Sequence, residues 1–254
     1  MINMRDFKIL CYSLVVVLTS IACKQKNDLE NKAEAIINKS IEVSGGDRIH
    51  NSTILFQFRD KSYKASRDNG LFVLERRFQD SAKVITDRLS NSGFRRYING
   101  QLQNIHDSIA SKYSNSINSV HYFSVLPYGL NDAAVNKKYL GHATVKGKEY
   151  HKIKITFDEV GGGEDFEDVF IYWVGKESNK VDYLAYSFHV NGGGMRFRKA
   201  FNERYINGIR FVDYENYKPI NIGANLLELD KLFEQNKLEL LSRIELKNVE
   251  VKVD

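Results

Sequence analysis

The stretch KVITDRLSNSGFRRYINGQLQNI, residues 83–105, decides the class of this fold. Apolar and polar residues alternate from Lys83 to Leu89, and two further runs, Phe94 to Ile98 and Gln101 to Ile105, flank Asn99-Gly100. A period of two sends successive side chains to opposite faces of a strand, and Asn-Gly supplies the two positive-φ residues that a tight hairpin turn needs. Working outward, the same alternation runs through Thr53 to Arg59 and Leu71 to Phe78, with Asp60-Lys61 and Asp68-Asn69-Gly70 as turns. Downstream it returns at Tyr139 to Val145, Tyr150 to Phe157, Phe166 to Val174, Val181 to Val190, Met195 to Ile206 and Ile209 to Tyr217. Asn207-Gly208 marks another hairpin, and Leu238 to Val253 reads as one long closing strand with a bulge near Asn248. No repeat of 20 to 50 residues is present.

Two segments break this pattern. Leu29, Ala33, Ile36, Ile37 and Ile41 fall at helical steps, with Asp28 to cap the start and Gly45-Gly46 to end the helix. Asn115 to Leu126 is apolar nearly all round, through Ile117, Val120, Tyr122 and Phe123, before Pro127 stops it. Asn131 is placed to cap a short helix through Val135, and another short helix is expected around Asp230 to Gln235. About ten or eleven antiparallel strands in one sheet tend to curl, and an aromatic-lined concave face must be filled. The expected fold is therefore mainly β (α+β): a single curled antiparallel sheet forming a half-barrel, with two or three helices packed in or over its concave face. The Asn115–Leu126 helix is expected to plug its mouth.

The N-terminus carries Arg5 and Lys8, then the apolar run Ile9 to Leu18, then Thr19-Ser20-Ile21-Ala22-Cys23. That order is a secretory signal, too short for a transmembrane helix. Residues 1–22 read as a lipoprotein signal peptide, Cys23 as the lipidated residue, 23–27 as a tether and 28–254 as one domain. Ser20 stands where such a signal usually carries Leu. The only other cysteine, Cys11, leaves with the signal, so the mature chain holds no disulfide, and a thioether-linked lipid consumes Cys23. Removing Arg5, Lys8 and Asp6 changes 37 basic and 32 acidic residues to 35 and 31, a net +4 that keeps the chain soluble without marking a nucleic-acid surface.

The combination of Gly45-Gly46, Phe58-Arg59, Asn118-Ser119-Val120-His121-Tyr122-Phe123, Leu126-Pro127-Tyr128, Val181-Asp182-Tyr183-Leu184-Ala185-Tyr186 and Arg196-Phe197-Arg198 with Asn202 resembles an uncharacterised lipoprotein family of flavobacteria and their relatives. The resemblance spans nearly the whole mature chain and implies no activity. That family in turn is similar in fold to the LolA and LolB lipoprotein carriers, whose open half-barrel shelters acyl chains. The carriers' own short motifs are not found here.

No G-x-S-x-G, H-E-x-x-H, P-loop, G-x-G-x-x-G or cysteine pair is present. His50, His106, His121, His142, His151 and His189 show no metal-ligand spacing. His121 reads as a core histidine bonded to a backbone carbonyl rather than a general base. The acidic run Asp158 to Asp168 around Gly161-Gly162-Gly163 lacks EF-hand spacing and reads as a solvated, mobile hairpin loop without bound calcium. By period, Arg196, Arg198, Asn202 and Arg204 share one face of a strand, opposite Met195, Phe197, Phe201 and Tyr205. If the arginines face the concavity, pairing with Asp168 or Asp182 would make a polar strip able to hold a carboxylate or phosphate headgroup. Solvation on the convex face is the plainer alternative.

These readings combine into an exported outer-membrane lipoprotein, on the periplasmic face or the cell surface. It is expected to be a monomer that binds an acyl chain, a lipid or a lipoprotein with no cofactor, no nucleic acid and no catalysis. The expected lining is Phe56, Phe58, Phe72, Tyr122, Phe123, Phe170, Trp173, Tyr186, Arg196 and Arg198. The rivals are a scaffold for envelope partners and a hydrolase or lyase using a buried carboxylate with His121 or His189. The anchor is directly testable: metabolic labelling with a palmitate analogue marks the wild type and not Cys23→Ser, and equal label on both refutes lipidation at Cys23.

Overall fold

The structure, a computed structural model, describes residues 28–163, 166–189, 192–221 and 223–253. The signal segment and Cys23 lie outside them. Fourteen strands form among these residues. The first sheet contains β1 (Asn51–Phe58), β2 (Lys61–Asp68), β3 (Leu71–Asp80), β4 (Lys83–Ser90), β5 (Gly93–Ile98) and β6 (Gln101–Gln103) in sequence order, with β14 (Lys247–Val253) beside β1. The second runs β7 (Val135–Val145), β8 (Lys148–Phe157), β9 (Val169–Gly175), β10 (Val181–Phe188), β11 (Gly194–Ile206), β12 (Ile209–Pro219) and β13 (Leu238–Ile244). Every pairing is antiparallel. The mainly β, open architecture expected from the alternation is present, divided between two seven-stranded sheets that do not close into a barrel.

Three departures from the sequence reading have physical causes. β2 went unread because Lys61, Lys64 and Asp68 leave it polar; only Tyr63 and Ala65 are buried. The long closing strand is two, because the chain passes from one sheet to the other at 245–246. There Asp213 accepts from the Leu246 amide at 2.9 Å, and Arg204 donates to the Leu246 carbonyl at 2.7 Å and to Asp213 at 3.2 Å. The bulge near Asn248 does occur, as a register shift against β1 with Asn248 at φ 51. A second bulge, at Asn202 with φ 51, changes the phase of β11. Arg204 consequently pairs with Phe211 and turns to the face opposite Arg198, so the expected four-residue polar face breaks after Arg198.

Four helices accompany the sheets: α1 (28–43), α2 (Gly46–Ile49), α3 (Asp107–Ser124) and α4 (Leu229–Glu234). None among the described residues is long and apolar enough to cross a membrane. Helix α1 lays Ala33 and Ile37 on the inner face of the second sheet. It ends at Gly45, φ 79, where any Cβ would lie 2.1 Å from the Gly208 carbonyl oxygen, so the helix end and the Asn207-Gly208 hairpin meet backbone to backbone. Helix α4 covers the outer face around Trp173, Tyr150 and Phe197. There Asp230 accepts from the Trp173 indole at 3.1 Å and from Lys152 at 3.1 Å. Asn131 caps no helix; it ends a 3-10 turn, Tyr128–Asn131, and its amide reaches Asn38 at 2.6 Å.

Helix α3 begins eight residues before the expected Asn115, because Asp107 to Ser114 has no apolar stripe to reveal it. His106 caps its start, with Nδ1 accepting from the Ser108 amide at 3.3 Å. Ile117, His121 and Ser124 form its buried face on the first sheet. The polar part of this seat centres on Asp87, fully buried on β4, which takes Arg76 of β3 at 2.7 Å and Arg96 of β5 at 2.5 Å. Arg76 also donates to Ser116 at 2.7 Å, and the Arg96 guanidinium lies 3.5 Å from the centre of the Tyr113 ring. Further along α3, His121 Nε2 donates to the Glu75 carbonyl at 3.1 Å between the rings of Phe56 and Tyr63.

Two consequences are measurable. Asp87→Ala strands two guanidinium groups under α3, and breaking a buried pair costs about 3–5 kcal/mol. Urea unfolding should show a large fall in midpoint, and a loss below about 1 kcal/mol would refute this role. Burial holds the His121 imidazole down to about 3 from 6.5, with the Arg67 charge adding and the Glu75 carbonyl opposing. The unfolded chain binds a proton near pH 6.5 that the folded chain refuses until about pH 3. Stability from this group is thus complete above pH 6.5 and declines as pH falls, by about 1.4 kcal/mol per unit. Unfolding free energies between pH 6 and 4 should fall less steeply in His121→Gln than in wild type; parallel slopes would disprove the assignment.

A candidate ligand cavity between helix and sheet

The C-terminal turn of α3 turns away from its seat and faces the inner side of the second sheet across a cavity of about 520 Å³. Tyr122 and Phe123 form one wall. Phe170 of β9, Tyr186 of β10, Arg196 and Arg198 of β11, and Val212 and Tyr214 of β12 form the other. Ile244 and Leu246 close it at the corner between the sheets. The aromatic rings are in mutual contact: Phe123 lies 6.3 Å from Phe170 and 5.7 Å from Tyr186, and Phe170 stacks on Tyr186 at 5.2 Å. Gly161, Gly162, Gly163 and Asp168 also line the space. The acidic loop therefore borders the cavity at its glycines while Asp158, Glu159 and Val160 stand exposed to solvent; its residues 164–165 lie outside the described ones.

Polar groups in this lining differ in kind. The Tyr122 and Tyr172 hydroxyls meet at 3.2 Å, and burial pushes the ionisation of Tyr122, Tyr172 and Tyr214 upward, so they stay neutral hydroxyls at physiological pH. The cationic groups are Arg198 and Arg196. The Arg198 guanidinium lies 3.9 Å from the centre of the Phe123 ring and donates from Nη2 to the Tyr186 hydroxyl at 2.9 Å. Arg196 donates to the Met195 carbonyl at 2.8 Å beside the Phe188 ring. Neither pairs with the acids expected for them. Asp182 takes Tyr150 at 3.2 Å and Arg210 at 3.5 Å, and Asp168 sits 3.8 Å from His189 Nδ1.

Of the expected lining, Phe58, Tyr122, Phe123, Phe170, Tyr186, Arg196 and Arg198 meet at this cavity. Three do not. Phe56 is buried in the seat of α3, stacked on Tyr63 at 5.2 Å. Phe72 packs on the first sheet near Leu74 and Ile117. Trp173 is an odd number of residues from Phe170, so the alternation of β9 turns it to the outer core. The same parity identifies what the sequence reading omitted: Tyr172 on β9, and Val212 and Tyr214 on β12, share the inner face.

The histidines divide. His121 lies under α3, away from the cavity lining, with its carbonyl partner as expected. His142 and His151, which have no ligand spacing in sequence, are cross-strand partners with rings 5.4 Å apart, brought together by the β7–β8 register. Among the described residues no three His, Cys, Asp or Glu side chains gather as a metal-ligand set.

No curated protein matches the chain. Solved structures similar to it include a LolA superfamily protein from Nitrosomonas europaea, with 10% identity over 87% of this chain and 91% of that one and a TM-score of 0.47. A DUF1329 family protein from Desulfovibrio piger shows 11% identity over 86% and 92%, with a TM-score of 0.43. A putative outer membrane lipoprotein-sorting protein domain from Vibrio parahaemolyticus shows 8% identity over 86% and 93%, with a TM-score of 0.41. In sequence, one family model matches residues 7–246, and the chain accordingly belongs to DUF6503, a family of unknown function.

Proposed function

We propose that this chain is a lipid-anchored envelope protein that holds an acyl chain, as a lipid or as the acyl part of a lipoprotein, in the cavity between α3 and the second sheet. The observation that carries this reading is the cavity itself: about 520 Å³, walled by Tyr122, Phe123, Phe170 and Tyr186. Small-molecule sites commonly span roughly 300–1,000 Å³ and combine an apolar lining with a few placed polar groups. Here the polar groups are neutral tyrosine hydroxyls and two arginines, a set suited to orienting an amphiphile and needing no bond to be made or broken. Cys23 supplies the membrane attachment in this reading, with export to the outer membrane, on its periplasmic face or at the cell surface, and the single chain is the binding unit.

The cavity wall and its occupant can be tested together. Phospholipid or fatty acid should co-purify with the full-length chain and be identified by mass spectrometry. In thermal melting, a fatty acid at a hundred times its Kd should stabilise the chain by about 2.7 kcal/mol through mass action. Phe123→Ala removes one aromatic wall, so it should both lower the melting temperature and diminish the ligand-dependent rise. If no lipid co-purifies and no fatty acid or phospholipid shifts the wild-type transition, the reading is wrong.

A further inference from the structure

Three arginines among the described residues are at least nine-tenths buried: Arg76, Arg210 and Arg198. Arg76 pairs with Asp87 at 2.7 Å, and Arg210 with Glu203 at 3.3 Å and Asp182 at 3.5 Å. That is the general rule for buried charge, which is tolerated in a low-dielectric interior when a counter-charge accompanies it. Arg198 departs from the rule. Its partners are a neutral hydroxyl, Tyr186, and the face of Phe123, and its Nε has no protein hydrogen-bond partner. It is also the one of the three that lines the cavity. The next residue on that face of β11, Arg196, lines the cavity too and forms no ion pair among the described residues. The carboxylates of the lining, Asp132 and Asp168, ion-pair with neither arginine.

A planar guanidinium with an unpartnered Nε, held against the Phe123 ring and hydrogen-bonded to the Tyr186 hydroxyl, is preorganised for a planar or tetrahedral oxyanion. We infer that Arg198, with Arg196 beside it, seats the anionic head of an amphiphile, a carboxylate or a phosphate, whose chain lies along Phe170 and Val212. This inference rests on the acyl-chain reading and adds to it the charge and the orientation of the ligand.

Isothermal titration of the purified full-length chain with dodecanoate, dodecyl phosphate and dodecanol, each below its aggregation limit at pH 7.5, separates the two claims. Either anion should bind at least about tenfold more tightly than the alcohol, the discrimination expected of hydrogen bonds to charged groups. Which anion binds more tightly distinguishes a free fatty acid from a phospholipid as the source. Arg198→Gln should bring anion and alcohol within about twofold, with Arg198→Lys retaining part of the preference as a point charge. Equal binding of dodecanol and the anions by wild type overturns the anion seat and leaves the acyl cavity standing, and that comparison needs no variant to fold. A preference that survives Arg198→Gln overturns the role of Arg198. Binding of none of the three overturns both claims.

Discussion

One buried carboxylate anchors the two arginines on which helix α3 sits. Asp87 stands in a cross-strand row that runs Phe56, Tyr63, Arg76, Asp87, Arg96 over five strands of the first sheet, each residue paired with the next. The row passes from apolar to ionic, and α3 matches it with His121 above Phe56 and Tyr63, Ser116 at Arg76 and Tyr113 on Arg96. The apolar part of this seat is limited to Ile117 with Ala65 and Leu74 and to Val120 against the cluster of Ile54, Phe56 and Tyr63. Directional polar contacts fix its position instead. They also fix strand register, since a one-residue slip of β4 would send Asp87 to the other face and leave both arginines unpaired.

That seat explains why there is a cavity at all. Helix α3 is held by the first sheet, while Tyr122 and Phe123 reach toward the second, and the separation of the sheets is set elsewhere. It is set at the corner, where Asp213 accepts from Leu246 and from Arg204 and receives the Asn202 amide at 2.6 Å. With the helix pinned on one side and the corner pinned on the other, the last turn of α3 meets β9 and β10 through Tyr122 and Phe123, and a space remains beside those contacts. Protein interiors ordinarily close such gaps, because unfilled contacts forfeit dispersion energy. Here the space stays open beside the polar seat of α3 and the Asp213 corner.

Much of this was legible along the chain, because strand alternation and Asn-Gly turns are local signals. Asn99-Gly100 and Asn207-Gly208 stand at the hairpins they announce, with Asn99 at φ 49 and Asn207 at φ 48. The losses share a cause, which is dependence on partners distant in sequence. β2 is a strand because β1 and β3 flank it, although its own residues are polar. The break at 245–246 depends on Asp213, and the phase change at Asn202 is visible only once β12 is laid beside β11. For the site, period put Arg196 and Arg198 on one face of β11 but left open which face is concave, and the structure places that face at the cavity. Trp173 was misassigned because β9 is buried on both faces, and a continuously apolar strand carries no sign of which face is inner.

The two faces of β9 then divide a sealed core from the cavity lining. Ile171 and Trp173 pack outward into a core sealed by α4 and by the Lys152–Asp230–Trp173 hydrogen bonds, where every polar group named is satisfied by protein. Phe170 and Tyr172 face inward, where hydroxyls meet hydroxyls and Arg198 meets aromatic rings with no ion pair among the described residues. A fully satisfied polar cluster makes a rigid support, whereas an incompletely satisfied one is costly unless something completes it. The outer face is the satisfied, packed side on which the inner face rests, with Arg198 making no ion pair there among the described residues.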